Sequence, residues 1–227
     1  MKIVSIVPSR SGSIRLVNKN KKKINGKSLV DRALEFSKKI KFVDNTILTT
    51  DDKFFISKFR KDKNIYVIKR PKDLASSKAK MVNVILHALK FYKKNFGKVD
   101  AFILLQPTSP YRSISKINLA FKFFKLNKLK KTVVSVSKTF KDNNKNFFIK
   151  KNCLILTKRS KIKKEKKTYQ MNGNFYLSSV NLYTKSKSFY GKHMTYPIEL
   201  KSKKLSVDID TKIDFDKAKE FSKHFEE

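Results

Sequence analysis

Short apolar runs alternate with amphipathic helical patterns along the first 136 residues of the chain. Apolar runs without polar alternation are typical of strands that helices cover on both faces. The alternation predicts an α/β fold with a mostly parallel sheet and right-handed crossovers. Five strands are predicted here, at Ile3–Val7, Asn45–Thr50, Ile65–Ile68, Ala101–Leu105 and Thr132–Val136. Four helices follow the first four strands, at Leu29–Ile40, Phe54–Arg60 and Met81–Phe96, and from Ser113 to Leu126.

The first predicted strand leads into a loop of small polar residues, Ser9-Arg10-Ser11-Gly12-Ser13, followed by Lys19 and Asn20. Small residues let backbone N–H groups approach an anion, and Gly12 can adopt a positive φ. The Arg10 guanidinium can hold two phosphate oxygens at once. Ligands of parallel sheets bind beyond the carboxyl ends of the strands, so the loop is predicted to hold a polyphosphate. The alternative is that it is only a polar first turn.

Two better-known phosphate-binding loops are excluded by spacing. No G-x-G-x-x-G follows the first strand, because Gly12 is the only glycine before Gly26. Gly26-Lys27-Ser28 resembles the end of a Walker A motif, but that motif requires a glycine where the chain has Lys21.

Asp208 and Asp210 form a pair of carboxylates two residues apart. On an extended segment such a pair faces one side and can bind one hard cation such as Mg²⁺. The alternative is that the pair only caps the final helix, predicted at Ile213–Phe221. Asp214 and Asp216 repeat the spacing but fall within that helix, where they are interpreted as surface residues that complement the helix dipole.

The formal net charge of +37 raises the question of nucleic-acid binding. However, 48 of the 55 basic residues are lysines spread over the whole length, whereas base reading favours arginine. We therefore expect no nucleic-acid partner, and expect the charge to attract an anionic substrate. No apolar run is long enough for a membrane span or a signal peptide, so no membrane association is expected. The single Cys153 favours a reducing, cytoplasmic setting.

The length of 227 residues suits one domain, 1–227, and residues 138–171 depart from the strand–helix alternation. This segment is either a disordered loop or an arm that reaches a second subunit, with a hairpin at Phe147–Lys150 and Cys153–Thr157. The aromatic pair Phe147-Phe148 would be poorly covered in a monomer, so a homodimer formed through the arm is predicted. After it, a turn at Gly173, a strand over Asn172–Val180 and a helix over Asn181–Phe189 are predicted.

The order of motifs resembles the CMP-sialic acid synthetases, or acylneuraminate cytidylyltransferases, over nearly the whole chain. The most specific stretches are Leu104-Leu105-Gln106-Pro107-Thr108-Ser109-Pro110 and Val207-Asp208-Ile209-Asp210-Thr211. Supporting stretches are the Arg10 loop, Lys19-Asn20, Gly26–Leu29, Thr50-Asp51-Asp52, Arg70-Pro71 with Leu74-Ala75, and Asn172-Gly173. The resemblance implies a Rossmann-like nucleotidyltransferase fold. It also implies transfer of CMP from CTP to a nine-carbon 2-keto sugar acid, with release of pyrophosphate.

The resemblance also implies roles for individual residues. By this resemblance the triphosphate would be bound by Arg10, Ser11, Gly12, Ser13 and Lys19. The nucleoside would be bound by Asn20, Arg70 and Ser77. Asp208 and Asp210 would hold Mg²⁺ or another divalent cation, and with Arg10 and Lys19 they are the predicted catalytic residues. The sugar acid would be bound by Gln106, Thr108, Ser109, Asn172, Gly173 and Phe175.

The chain departs from the family pattern at two places. Many members carry a lysine and a glycine where this chain has Ile14 and Arg15, and Arg15 is expected to supply that charge. The segment Ser76–Lys80 lacks the acid common there. The arm's sugar-binding base is open among Lys138, Arg159 and Lys161. Two other functions stay open: CMP activation of an eight-carbon 3-deoxy sugar acid, and nucleic-acid binding on the same fold.

Overall fold

The computed structural model describes residues 1–139, 146–157 and 167–223. Nine of the strands in these residues form one sheet with the spatial order β11-β7-β10-β6-β1-β4-β5 and a β8–β9 hairpin beside β10. The first six of these strands along the chain are β1 (Ile3–Ser9), β4 (Asn45–Thr50), β5 (Ile65–Lys69), β6 (Ala101–Leu104), β7 (Thr132–Thr139) and β8 (Phe147–Lys150). The others are β9 (Cys153–Leu156), β10 (Thr168–Ser179) and β11 (Thr195–Glu199), and a separate short ribbon joins β2 (Lys23–Ile24) to β3 (Lys27–Ser28).

The helices lie between these strands as the pattern predicts, except that a short helix at Lys72–Ala75 replaces part of a stretch expected to be a loop. They are α1 (Leu29–Lys38), α2 (Lys53–Phe59), α3 (Lys72–Ala75), α4 (Met81–Phe96), α5 (Ile114–Leu126), α6 (Val180–Ser186) and α7 (Lys212–Lys223), with a 3₁₀ turn at Lys19–Lys21. The expected starts of α1 and α5 are confirmed by their caps. The Ser28 and Ser113 hydroxyls accept hydrogen bonds from the Asp31 and Lys116 backbone N–H groups at 3.1 and 3.4 Å.

The predicted parallel sheet is confirmed, with β1 parallel to both β4 and β6, and β4 parallel to β5. Side chains of β1 alternate between two cores. Ile3 and Val7 pack with α1 and α5 on one face, while Val4 and Ile6 pack with α4 on the other. Helices therefore cover both faces, which explains why β1 and β6 are apolar without alternation. No helix in the described ranges is long and apolar enough to cross a membrane.

The second half differs from prediction at β10. This strand begins at Thr168, lies antiparallel between β6 and β7, and has a register shift between Met171 and Tyr176. Gly173, with φ +79°, lies in this bulge, so the expected turn before the strand is wrong. A bulge inserts residues into one strand and bends it locally, which a single-strand pattern does not reveal. The stretch Leu205–Asp210 forms no strand and reaches α7 through turns.

The predicted hairpin is present as β8 and β9, paired from Phe147–Leu156 to Lys150–Cys153. Phe147 is buried within the protomer beside Val134, Leu154 and Tyr169, so the expectation that a monomer leaves it poorly covered is wrong. The exposed apolar side chains of the hairpin are instead Ile149 and Leu156. The two ends of the predicted arm belong instead to β7 and β10 of the central sheet, and residues 140–145 and 158–166, which include Arg159 and Lys161, lie outside the described residues.

Candidate active site

A cleft of about 390 Å³ opens where β1, β5 and β6 end. Eight of the predicted site residues line it: Arg10, Ser13, Lys19, Asn20, Arg70, Gln106, Thr108 and Asp210. They come from sequence positions 200 residues apart and meet because parallel strands present their carboxyl ends at one edge. The sheet topology therefore assembles one site from the motifs.

Two acids that directly follow β4, Asp51 and Asp52, bind the segment after β1. Asp51 accepts hydrogen bonds from the Ser11 backbone N–H at 2.9 Å and from the Ser11 hydroxyl. Asp52 forms an ion pair with Lys21 at 3.0 Å and caps α2 through the Phe54 N–H. The Asn20 amide donates to the Arg10 carbonyl at 3.1 Å. These contacts fix the loop before any ligand is bound.

Gly12 does not adopt the positive φ that the sequence allowed. A Cβ at this position would meet nothing within 4 Å. Its backbone conformation therefore does not require glycine. The exposed Ser11 and Gly12 lie at the rim of the cleft rather than in its lining.

Arg70 is a buried cation at the end of β5. Its Nη2 donates to the Thr49 carbonyl at 2.8 Å, and its Nε has no partner among the described residues. Burial lowers the pKa of Arg70 to about 10, Asp51 opposes the shift, and Arg10 adds to it. Arg10 and Arg70 thus lie within electrostatic range, and a polyanion between them would relieve their repulsion.

Asp210 accepts from two cations. Lys19 Nζ lies 2.9 Å from its Oδ1, and Arg15 Nη2 lies 3.0 Å from its Oδ2. Asp210 does not cap α7. The cap is Thr211, whose Oγ1 accepts from the Asp214 N–H, and Asp214 completes a capping box by accepting from the backbone N–H groups of Asp210 and Thr211. The pairing of Asp210 with Lys19 and Arg15 argues against the helix-cap alternative for this residue.

Asp208 lies beside the Thr108 turn, and the Ile209 N–H donates to the Thr108 carbonyl at 2.8 Å. Asp208 does not line the cleft and is exposed as a residue, although protein atoms surround its carboxyl group closely enough to remove part of its hydration. This burial raises the pKa of Asp208, a hydrogen bond with the Thr108 side chain lowers it, and neighbouring Asp210 raises it further. Asp208 is thus a carboxylate that gains from a nearby cation.

The two carboxylates fit a divalent cation in chemistry, since oxygen ligands and close negative charges are what Mg²⁺ requires. The described residues contain no cluster of three or more candidate metal ligands. The protein side would thus supply two carboxylates at most, consistent with a hydrated cation shared with substrate phosphates.

Gln106 is fixed from two sides. Arg112 donates through Nη2 to the Gln106 carbonyl and through Nε to the Asn174 carbonyl. On the opposite side, a Cβ built on Gly173 would lie 2.6 Å from Gln106 Oε1 and 3.4 Å from Ser109 Oγ. The close approach of β10 to this turn requires glycine at position 173.

A second pocket of about 290 Å³ adjoins the cleft and shares Met81 and Gln106 with it. Its remaining wall includes Met171, Tyr176, Phe189 and Tyr190. Burial and nearby Asp208 raise the pKa of Tyr176 to about 12, so its hydroxyl stays protonated and can donate a hydrogen bond. An aromatic surface with a few polar groups is suited to a sugar with apolar substituents.

Four predicted site residues lie away from the cleft. Ser77 is exposed, and Ser109 is fully buried with its hydroxyl 3.5 Å from the Asn172 carbonyl. Asn172 is buried, accepts from Ser135 Oγ at 2.6 Å, and keeps an Nδ2 without a partner in the described ranges. Phe175 packs in the core with α1 and α5, at 1% exposure, so its side chain does not line the cleft.

Sequence reasoning missed Asp51, Arg112 and the aromatic pocket as parts of the site. Asp51 and Arg112 could have been found from the sequence, because each lies next to a strand end. Asp51 directly follows β4, and Arg112 comes two residues after the Leu104–Pro110 stretch. The aromatic pocket had none, because its residues come from α4, β10 and the segment after α6.

Comparisons with known proteins agree with this geometry. The sequence profile of the family described as "Cytidylyltransferase" matches residues 4–227. An N-acylneuraminate cytidylyltransferase of Escherichia coli O18:K1:H7 is 29% identical over 96% of this chain, which spans 51% of that relative's length. A CMP-N,N'-diacetyllegionaminic acid synthase of Legionella pneumophila is 28% identical over 95% of this chain and 94% of its own length.

The fold also matches solved structures. One is a CMP:2-keto-3-deoxy-manno-octonic acid synthetase complexed with CTP, with a TM-score of 0.76 at 13% identity over 97% of this chain and 98% of that chain. At this identity the likeness shows the fold alone. A 4-diphosphocytidyl-2C-methyl-D-erythritol synthase from Anaerococcus prevotii gives a TM-score of 0.62 at 15% identity, over 98% of this chain and 96% of that chain.

Proposed function

The chain belongs to the cytidylyltransferase family, and from this premise we propose that it transfers CMP from CTP to the anomeric hydroxyl of a nonulosonic acid. The observation that carries the proposal is the cleft, where four cations (Arg10, Arg15, Lys19 and Arg70) face Asp210, the one acid lining it among the described residues. Such an excess of positive charge suits a triphosphate.

Each group has a definable task in this reaction. The hydroxyl oxygen forms a bond to the α-phosphorus of CTP, and the bond from that phosphorus to the leaving pyrophosphate breaks. Arg10 and Lys19 neutralise phosphate charge, with Arg15 beside them. Asp208 and Asp210 are the residues that would hold Mg²⁺, which when bound neutralises phosphate charge and polarises the attacking hydroxyl.

The sugar acid is assigned to the aromatic pocket beside Gln106. The two relatives named above are described by nine-carbon acids that carry acylamino groups. The apolar wall of Met171, Tyr176 and Phe189 matches such groups better than it matches a purely hydroxylated sugar. This places nonulosonic acids ahead of an eight-carbon acid as the substrate class.

We also propose a homodimer formed through the arm. Its support is the exposed pair on the β8–β9 hairpin, Ile149 at 37% and Leu156 at 45% exposure. Sedimentation of the protein and of a variant carrying Ile149→Lys and Leu156→Lys tests this. A dimer that the double variant dissociates supports it, whereas a fully active wild-type monomer at micromolar concentration contradicts it.

The test of function is pyrophosphate release with CTP, Mg²⁺ and a panel of acids. The panel contains N-acetylneuraminate, N,N'-diacetyllegionaminate and 2-keto-3-deoxy-manno-octonate. Release with either nonulosonate and not with the octonate is expected. Release with the octonate alone would contradict the substrate class. No release with any acid, together with tight, salt-sensitive RNA binding, would contradict the enzyme itself.

A further inference from the structure

A cavity of about 960 Å³ lies between α1, the turn at Pro110–Ser113 and the segment Ser202–Leu205. We call it the basic cavity. Its lining shares no residue with the active-site cleft. Among the described residues its lining carries one acid, Glu35, and six bases, Lys27, Arg32, Lys39, Arg112, Lys203 and Lys204.

Glu35 does not offset this charge, because it is already paired with Lys27 at 2.6 Å. Neither Arg32 nor Arg112 forms an ion pair in the described part of the chain. Arg32 donates only to the Pro110 and Ile24 carbonyls, both at 3.4 Å. Arg112 donates to two carbonyls as described, and its buried Nη1 has no partner there. Two guanidinium charges therefore lie together without a carboxylate to neutralise them.

The three inner cations are close to one another. Arg32 and Lys204 both lie over the Tyr111 ring, at 5.2 and 4.8 Å from its centroid. Burial and the nearby Arg32 lower the pKa of Arg112 to about 9, and the same two causes lower the pKa of Lys204. The guanidinium charges of Arg32 and Arg112 repel each other at this separation, and a bound anion would offset that repulsion.

We infer that the basic cavity is a second anion site, which binds a phosphate-bearing ligand between Arg32, Lys203 and the Tyr111 turn. The planar guanidinium of Arg32 can bind two phosphate oxygens at once. The volume of about 960 Å³ exceeds what a single phosphate fills, and Phe36, Tyr111 and Phe221 provide apolar contacts for the rest of a ligand. The ligand is either free pyrophosphate or a nucleotide, which share this chemistry.

The experiment measures calorimetric binding of pyrophosphate and, separately, of CMP, in EDTA so that no divalent cation contributes. The background is Arg10→Ala, which weakens the cleft and leaves the basic cavity intact. One binding event per chain is expected to persist for at least one probe, and the probe that binds identifies the source. Adding Arg32→Gln should weaken it at least about tenfold, the effect of losing a charge-assisted hydrogen bond.

Lys90→Gln in the same background is the matched control. Lys90 is exposed on α4, which packs on the opposite face of the sheet from α1, so the control removes the same charge elsewhere. Lys203→Gln provides a second cavity variant if Arg32→Gln does not fold. No residual binding of either probe, or equal weakening by Lys90→Gln, overturns the inference. Because the background already lacks Arg10, the result does not depend on whether the cleft turns over CTP.

Discussion

Gly173 lies so close to Gln106 that a methyl group on it would be 2.6 Å from Oε1, well inside any normal contact. Gly173 also has a φ of +79°, which L side chains rarely adopt. The bulge in β10 and the turn after β6 therefore pack closely together. A Cβ atom at position 173 has no space unless the Gln106 side chain moves. The neighbouring side chain, that of Gln106, lines both the cleft and the aromatic pocket.

Gly173→Ala is expected to displace the Gln106 side chain and raise KM for the sugar acid, with a smaller effect on KM for CTP. The left-handed φ alone costs about 1–3 kcal/mol of unfolding free energy. Gly26→Ala is the matched control, because Gly26 has φ +73° and nothing within 4 Å of its Cβ position. Thermal unfolding and substrate kinetics of both variants separate strain from displacement. Equal kinetic effects in the two would contradict a role for the close contact.

Arg10→Ala is expected to weaken the use of CTP by roughly tenfold to a hundredfold, the loss of one charge-assisted phosphate contact. The fold should be unaffected, since the side chain lines the cleft and the Asn20 contact is made by the Arg10 backbone. Arg60→Ala, an exposed arginine at the end of α2, serves as control for loss of charge. Kinetics with CTP as the varied substrate measure the effect, and unchanged kinetics would remove the loop from the triphosphate site.

The sequence predicted the first half of the fold well because its strands and helices have distinct periods. β4 and α4 were placed to the residue and the other predicted strands and helices of this half to within three residues, whereas the short β2, β3 and α3 were not predicted. The same local signals could not place β10, whose antiparallel pairing depends on β6 and β7. The register shift between Met171 and Tyr176 also decides which face Phe175 presents, since an odd number of extra residues moves a side chain to the opposite face.

The candidate site was predictable where a motif directly ends a strand, as for Arg10, Arg70 and Gln106. It was less predictable where distant segments cooperate. Asp210 and Asp214 each belong to a pair of acids two residues apart, so the sequence pattern does not separate them. Only the tertiary contacts of Asp210 with Lys19 and Arg15 show that it lies in the cleft, whereas Asp214 bonds to the start of α7.

Asp208→Asn and Asp210→Asn are each expected to lower turnover by at least about tenfold, with a smaller effect on CTP affinity. The cation that they would hold matters most as negative charge builds up on the transferring phosphoryl group. Raised Mg²⁺ should restore part of the loss if weakened metal affinity is the cause.

Asp214→Ala is the companion variant, since Asp214 completes the capping box at the start of α7 by accepting from the backbone N–H groups of Asp210 and Thr211. It should lower stability by about 0.5–2 kcal/mol and leave turnover near that of the wild type. Melting temperature and Mg²⁺-dependent turnover are measured for all three. Normal turnover in both Asp208→Asn and Asp210→Asn would exclude them from the reaction.

The raised pKa of Asp208 predicts an unusual dependence of stability on pH. Burial, its leading cause, makes ionisation of this carboxyl harder in the folded chain than in the unfolded chain, whose ordinary value is 3.8. The folded state therefore gains from protonated Asp208 at low pH and loses that gain as the pH rises through the folded pKa. Asp208→Asn removes the cost of ionisation, so at neutral pH it should unfold at a higher temperature than the wild type.

The advantage of Asp208→Asn should shrink as the pH falls through the folded pKa of Asp208 and should disappear below the ordinary value of 3.8, where the wild-type carboxyl is protonated in both states. Asp62→Asn supplies the opposite sign. A hydrogen bond from Lys38 lowers the pKa of Asp62, so this variant should be less stable than wild type at neutral pH, and the deficit should fade as acid protonates the wild-type group. Melting temperatures of the three proteins across the acid range test both slopes. If Asp208→Asn is less stable than the wild type at neutral pH, the ionised Asp208 carboxylate stabilises the fold, and the prediction that its ionisation costs stability is contradicted.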